Sequence, residues 1–267
     1  MEVNGHRAYI EAAAKLFKDD VRFDDFDFVY VVAPQAAALP LSPAFTVFRS
    51  QGAQLGGGRE ITLAVTFGRD SYDNTFINLV HETGHLFGLP DLYPGGGFAE
   101  DSLAGCWCLM SDIFRASGFI GWHRHKCGWL AEDRKRYLPQ TGGTRETLTP
   151  LQEREGVSMV VIPADDAGRP SKVWVVEIAQ PVFAKSGTEQ SGIEGVLLYR
   201  VDATIESGKT PLVIVPKIRS NSPKFGNLFE APFQPGDTIS DSFGNRRLDL
   251  AVGSRSGTAY EVEVTLS

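Results

Sequence analysis

Long hydrophobic runs are missing from this sequence of 267 residues. No stretch approaches the ~20 consecutive apolar residues that a helix needs to cross a bilayer, so no membrane span is predicted. Basic residues are also few, since 26 Lys and Arg stand against 33 Asp and Glu, a formal net charge of -7. Nucleic-acid binding depends on clustered Lys and Arg that displace counterions, so this balance argues against a nucleic-acid partner.

Cysteine is scarce, and the three residues, Cys106, Cys108 and Cys127, all lie in one short region. They do not form a disulfide framework, and the sequence leaves open one pair plus a thiol or three thiols. The N-terminus lacks a basic segment followed by an apolar one, because Glu11 and Lys15 interrupt its apolar residues. This pattern is typical of an amphipathic helix and not of a signal peptide. It fits a cytosolic protein or a chain whose leader has been removed.

Hydrophobic patterning predicts mixed α and β structure in two domains, residues 1–140 and 141–267. In the first domain we expect a helix over 8–18 and strands over 26–32 and 60–67. In the second, short apolar segments are separated by clusters of Gly, Pro, Asp and Ser, which indicates an all-β sandwich or open barrel. Its strand candidates are 158–163, 172–180, 195–202, 210–216, 247–252 and 259–266.

The segment H-E-T-G-H at 81–85 follows N-cap residues at 70–74 and falls in a predicted helix that Gly88 and Pro90 end. Two histidines four residues apart lie on the same face of a helix and can bind one metal ion. Glu82, offset by one residue, suits a general base beside that ion. Gly88 can adopt a positive φ and turn the chain back, so that Asp91 offers a third ligand.

Three protein ligands with a fourth position open are typical of catalytic zinc, whereas structural zinc has four ligands, usually including cysteine. The predicted site therefore has His81, His85 and Asp91 as Zn²⁺ ligands and Glu82 as the catalytic base. The alternative interpretation is that the two histidines are core residues beside a surface Glu82. It does not account for the Gly and Asp at motif spacing after them.

Other residues offer weaker candidates for metal binding. The C-x-C at 106–108 and the H-x-H at 123–125 suggest a second metal site, although no second cysteine pair at zinc-finger spacing exists. Glu100 is an alternative third zinc ligand, but it lies in a Gly-rich loop and not on a second helix. A cluster of five aspartates over 19–27 is a candidate for Ca²⁺, although it lacks the spacing of a dedicated calcium loop.

The run H-E-T-G-H-L-F-G-L-P-D, followed by Met110 in C-L-M-S-D, resembles the extended zinc motif and Met-turn of the metzincin peptidases. Aspartate as third ligand is similar to the immune inhibitor A family of bacterial metallopeptidases, with the small snapalysin-type enzymes a more distant match. Segments 25–32, 110–130 and 195–202 also look like stretches of that family. The resemblance implies an α+β fold with a metzincin-like zincin catalytic domain and a C-terminal all-β sandwich-like domain.

The resemblance further implies a secreted zinc metalloendopeptidase whose partner is a protein or peptide substrate. A cytoplasmic location stays open because no signal-peptide pattern is visible. Two other functions are compatible with the motif, namely a zinc hydrolase of non-peptide amides or esters and a zinc-stabilised binding or adhesion module without turnover. The resemblance also favours Met110 as an apolar floor beneath the metal over an ordinary core methionine.

Two features of the first domain bear on substrate binding. The strand at 60–67 either offers a free edge to an extended peptide or lies wholly inside the sheet. The long loop over 91–105, with Tyr93 and Trp107 near its ends, is a candidate for side-chain selectivity, although both aromatics fit packing roles equally well.

Overall fold

The structure is a computed structural model that describes nine segments of the chain: 3–56, 58–74, 76–94, 102–116, 118–138, 142–168, 170–179, 193–217 and 228–267. It has few helices and several sheets, which confirms the expected α+β class. The chain divides into two compact units, Met1–Leu89 and Pro90–Ser267. The division near residue 140 into a catalytic and a β-rich domain stays a prediction.

The described residues of the first unit form a three-stranded sheet, a two-stranded hairpin and three α-helices. Its elements are α1 (Val3–Leu16), β1 (Val29–Val32), β2 (Ala44–Thr46), β3 (Ala53–Gly56), β4 (Arg59–Ile61), β5 (Leu63–Phe67), α2 (Arg69–Asn74) and α3 (Phe76–Leu86). The central strand β5 runs parallel to β1 and antiparallel to β2, and β3 pairs with β4. Helices α2 and α3 follow β5 directly in the chain.

Helix α1 covers the core of the first unit with one face. His6, Ile10 and Ala14 recur every four residues and are all nearly inaccessible to solvent, as helical periodicity requires of one buried face. Ile10 and Ala14 belong to an apolar cluster with residues of the sheet and hairpin, including Phe45 and Ala64. His6 is satisfied there, because its Nε2 lies 2.9 Å from the hydroxyl oxygen of Thr66.

Three elements of the first unit have boundaries that differ from the sequence prediction, and among them β1 begins at Val29, where a strand from residue 26 was expected. Helix α1 begins at Val3, five residues earlier than expected, because the buried His6 extends its inner face beyond the apolar residues. The predicted strand at 60–67 is two strands, β4 and β5, separated by Thr62, whose carbonyl accepts a hydrogen bond from the Val47 amide at 3.1 Å. Strand β5 has neighbours on both sides, so it offers no free edge to a substrate.

The second unit is built mainly from strands. After the short helix α4 (Gly121–Lys126), its strands are β6 (Lys135–Tyr137), β7 (Gly142–Leu148), β8 (Met159–Pro163), β9 (Lys172–Ala179), β10 (Gly195–Asp202), β11 (Leu212–Ile214), β12 (Thr238–Phe243), β13 (Arg246–Ser256) and β14 (Ala259–Leu266). One sheet has the order β11-β10-β9-β8-β6 and the other β12-β13-β14-β7. All neighbouring pairs are antiparallel except β6 with β8.

The two sheets of the second unit share one apolar core. Alternate residues of β8, β9, β10, β13 and β14 meet in a single buried cluster, with Trp174, Phe233 and Tyr260 among its largest side chains. This period-2 contribution from both sheets is the arrangement of a sandwich. The sequence predicted β10 and β14 with their observed bounds and missed β7 and β12, whose residues are mostly polar and half-exposed or exposed.

No helix in the described segments is long and apolar enough to cross a membrane.

Candidate metal centre

The helix that carries the H-E-T-G-H motif is α3, and a polar network fixes the chain before it. The carboxylate of Asp70 accepts hydrogen bonds from the Asn78 amide at 2.7 Å and from the Ser42 hydroxyl at 2.7 Å. The Ser42 oxygen in turn accepts the Gly68 amide at 2.9 Å. Residues 70–74 were expected to cap α3, but they form a helix of their own, α2, and Asp70 ties both helices to the preceding loop.

The end of α3 is a Schellman motif built on Gly88. The Leu89 amide donates to the Gly84 carbonyl at 3.0 Å and the Gly88 amide donates to the His85 carbonyl at 2.9 Å. Gly88 has φ +81°, a left-handed conformation that glycine adopts without steric cost. The chain therefore reverses sharply after the second histidine, as the sequence predicted.

The two motif histidines lie close together on α3. Their ring centroids are 4.9 Å apart with the planes nearly perpendicular, and His81 is only 5% exposed. Nδ1 of His85 lies 2.8 Å from the carbonyl oxygen of Leu89. Because a carbonyl can only accept, this hydrogen bond places the proton on Nδ1 and makes Nε2 the ring nitrogen that carries the lone pair. The Schellman motif thus orients the ring as well as the chain.

Asp91 completes a group of three side chains that could hold a metal ion. One ligand atom from each of His81, His85 and Asp91 lies within 4.8 Å of the others. Atoms that bind one Zn²⁺ through bonds of ~2 Å lie within ~4 Å of one another, which is comparable to this spacing. Two imidazoles and one carboxylate, with no cysteine, are a donor set that fits catalytic zinc, so the residues present suit the ion that the motif predicts.

Glu82 is half-buried on α3, one residue after the first histidine. On a helix this offset turns its Cα about 100° from that of His81 and about 60° from that of His85. The side chain therefore projects beside the ligand face and not along it. Its role as general base stays a prediction.

The residue after Asp91 is anchored by a buried scaffold that includes Met110. The Leu92 amide donates to the Met110 carbonyl at 2.9 Å, and the Ser102 hydroxyl donates to the Leu92 carbonyl at 2.8 Å. The Ser111 hydroxyl lies 2.7 Å from that of Ser102. All four residues are at most 2% exposed. Met110 is thus a buried turn residue that fixes the backbone next to Asp91; its role as a floor for the metal stays a prediction.

The residues of the suggested second metal site are held by other contacts. Cys108 Sγ lies 3.3 Å from Nδ1 of His123, burial raises the pKa of this thiol to about 12 and burial lowers the pKa of the imidazole to about 4. Both groups are therefore neutral near pH 7. His125 instead accepts a hydrogen bond from the Lys135 ammonium at 3.1 Å. Among the described residues these side chains form no metal-binding group, and none of the three cysteines is in a disulfide.

The remaining site predictions have mixed outcomes. In the described part of the chain, the aspartates at 19–27 form no group able to hold a metal ion, so Ca²⁺ gains no support. Glu100 lies outside the described residues. Trp107 is a packing residue, because it is 7% exposed and its indole donates to the Leu228 carbonyl at 2.8 Å. Tyr93 is half-buried, and its part in selectivity stays a prediction.

A buried acid in the second unit was missed by the sequence analysis. Glu177 is 2% exposed and accepts hydrogen bonds from the Tyr199 hydroxyl at 2.7 Å and the Gly121 amide at 3.0 Å. Burial raises the pKa of Glu177 to about 7, against the effect of these donors. The signal for it was a single acidic residue in the otherwise apolar run V-W-V-V-E-I-A. A Cβ on Gly121 would clash with this carboxylate, so a larger residue there would displace the Glu177 side chain.

Comparison of the chain with protein-family models, curated proteins and solved structures finds no match.

Proposed function

We propose that this protein is a zinc-dependent peptidase that binds Zn²⁺ through His81, His85 and Asp91. The observation that carries the proposal is the convergence of two imidazoles and one carboxylate at the end of α3. It is supported by the His85 to Leu89 hydrogen bond, which favours the tautomer with the lone pair on Nε2. The resemblance to the metzincins, and to the immune inhibitor A family in particular, supplies the substrate class.

When bound, zinc would lower the pKa of a water molecule and polarise the carbonyl of the scissile peptide bond. Glu82 accepts a proton on its carboxylate as the water oxygen adds to the carbonyl carbon. It then returns that proton to the amide nitrogen as the C–N bond breaks, so that acid and amine products leave. The Leu89 carbonyl holds the proton of His85 on Nδ1 throughout.

The test compares Glu82→Ala with the wild-type protein in a peptide-library digest, with the zinc content of both measured by elemental analysis. Loss of a general base costs about 10²–10⁴-fold in rate, so we expect that loss in kcat/KM with zinc content unchanged. Glu155→Ala is the matched control, because Glu155 is an exposed loop residue of the second unit.

Equal cleavage by wild type and Glu82→Ala would contradict the catalytic role. Zinc binding without cleavage of any peptide by the wild type would favour a binding module. Hydrolysis of small esters or amides alone would favour the hydrolase of non-peptide substrates. The second and third outcomes each name a different function for the same ligands.

A further inference from the structure

The backbone of Asp91 is held from both sides by the loop between β10 and β11. The Asp91 amide donates to the hydroxyl oxygen of Ser207 at 3.0 Å, and the Asp91 carbonyl accepts the Gly208 amide at 3.3 Å. These partners lie more than 110 residues further along the chain, within the same compact unit. Two adjacent residues of one loop therefore fix both peptide groups of Asp91.

The loop that makes these contacts has its own internal supports. Asp202, at the end of β10, accepts hydrogen bonds from the Thr204 amide at 3.0 Å and the Thr204 hydroxyl at 2.5 Å. Across the loop, the Lys209 amide donates to the Glu206 carbonyl at 3.2 Å. Gly208 has φ +72°, a left-handed conformation that favours glycine. The local turns thus present the Ser207 hydroxyl and the Gly208 amide next to each other.

The contacts to Asp91 differ from those to its neighbour. Leu92 is held by the buried Met110 and Ser102, whereas Ser207 is exposed and has no part in the apolar core. A serine at an exposed loop position contributes little to core packing, so its interaction with Asp91 can be removed without creating a cavity. The contact can therefore be removed by a substitution that leaves the packing of the core unchanged.

We propose that Ser207 and Gly208 are positioning residues for Asp91, and that the β-rich unit thereby sets the geometry of the third zinc ligand. This inference rests on the proposed zinc site. Partners that orient a ligand typically contribute 10–100-fold to metal affinity. Because Ser207 holds the main chain of Asp91 and Gly208 remains in its absence, we expect an effect near the lower end of that range.

The experiment measures zinc affinity by competition with a chromophoric chelator for the wild type, Ser207→Ala, Ser207→Thr and Ser254→Ala. Ser207→Ala removes the acceptor of the Asp91 amide and should weaken zinc binding by about 10-fold. Ser207→Thr keeps the hydroxyl and should restore affinity to within about 2-fold. Ser254, an exposed serine of β13 whose hydroxyl donates to Glu261, is the control and should leave affinity unchanged.

A second readout uses the metal-free protein. Amide hydrogen exchange at Asp91 should accelerate in Ser207→Ala and not in Ser254→Ala, because the amide loses its acceptor. The unfolding midpoint from tryptophan fluorescence should stay the same, which separates a local effect from loss of the fold. All four tryptophans, at 107, 122, 129 and 174, lie in the second unit.

Two outcomes would overturn the inference, and they are distinct. If the wild type binds zinc and Ser207→Ala binds it equally tightly, Ser207 does not position Asp91, and the proposed function stands. If the wild type has no affinity for zinc, the proposed function fails and the inference fails with it.

Discussion

The chain carries two histidine pairs on helices that end in the same way. Helix α3 has His81 and His85 and ends at Gly88; α4 has His123 and His125 and is followed by Gly128. Both glycines have positive φ, and both helices close with an amide bonded five residues back and another three residues back. The two helices therefore share the same terminal motif. They differ in the residues before and after that motif.

The differences are the spacing of the histidines and the residue three positions after the glycine. His81 and His85 are separated by four residues, which brings their rings to 4.9 Å. His123 and His125 are separated by two, about 200° around a helix, and they contact Cys108 and Lys135 respectively. Asp91 is the third residue after Gly88, and the equivalent residue after Gly128 is Ala131, which has no carboxylate. A helix end with two histidines is thus insufficient; the four-residue spacing and the returning carboxylate distinguish the candidate site.

The largest expected difference between the two helices appears when one histidine is removed from each of them. His85→Ala should weaken zinc binding by more than about 100-fold, because loss of a ligand exceeds the 10–100-fold cost of losing a partner of a ligand. His125→Ala should leave zinc affinity unchanged. Chelator competition measures both, and equal losses in the two variants would contradict the distinction drawn between the helices.

A smaller expected effect concerns the pH dependence of stability, which depends on two buried titratable groups at α4. Burial raises the pKa of Glu177 from 4.5 to about 7, so the folded protein binds this proton more tightly than the unfolded chain does. The contribution of Glu177 to the free energy of unfolding therefore falls as pH rises from about 4.5 to 7, by about 3 kcal/mol at most. The lowered pKa of His123 acts oppositely and adds stability as pH rises from about 4 to 6.5.

Glu177→Gln should remove the pH-dependent contribution of Glu177 to stability and leave that of His123. Relative to the wild type, the variant should gain stability steadily between pH 4.5 and 7, as measured by chemical denaturation followed by tryptophan fluorescence. Glu155→Gln, at an exposed position, should give a difference profile that is flat across this range. A flat profile for Glu177→Gln as well would mean that the acid is not protonated in the folded protein near neutral pH.

The smallest expected effect concerns the reactivity of the three cysteine thiols, two of which lie next to α4. Cys106 and Cys108 are inaccessible to solvent and burial raises the pKa of both thiols to about 12, whereas Cys127 is half-buried. One thiol per chain should therefore react with a disulfide reagent at pH 8 in the native protein, and three should react in denaturant. The count should be the same with and without zinc. Protection of further thiols by zinc would assign the metal to cysteine ligands.

The local features of the candidate site were predictable from sequence because they depend on helix geometry and a glycine. The four-residue histidine spacing and the turn at Gly88 needed only neighbouring residues, as did the strands β10 and β14. The contacts of Ser207 with Asp91 and of Glu177 with Gly121 join residues far apart in the chain. No periodicity encodes such pairings, since they depend on how the strands are ordered.

Buried polar residues could not be predicted from the apolar pattern of the sequence. His6 extends the inner face of α1, and Thr66 lies fully buried in β5, because each supplies the other with a hydrogen-bonding partner. A reading of apolar periodicity treats both residues as exposed. Strand β7 was missed for a different reason, because its mostly exposed or half-exposed segment G-G-T-R-E-T-L has almost no apolar residue.

The most direct test of the zinc site is X-ray absorption at the zinc edge of the purified protein. The proposed site predicts one zinc per chain, with nitrogen and oxygen neighbours at about 2.0–2.2 Å and the multiple-scattering pattern of two imidazoles. A sulfur neighbour at about 2.3 Å, or the absence of stoichiometric zinc after reconstitution, would contradict ligation by His81, His85 and Asp91.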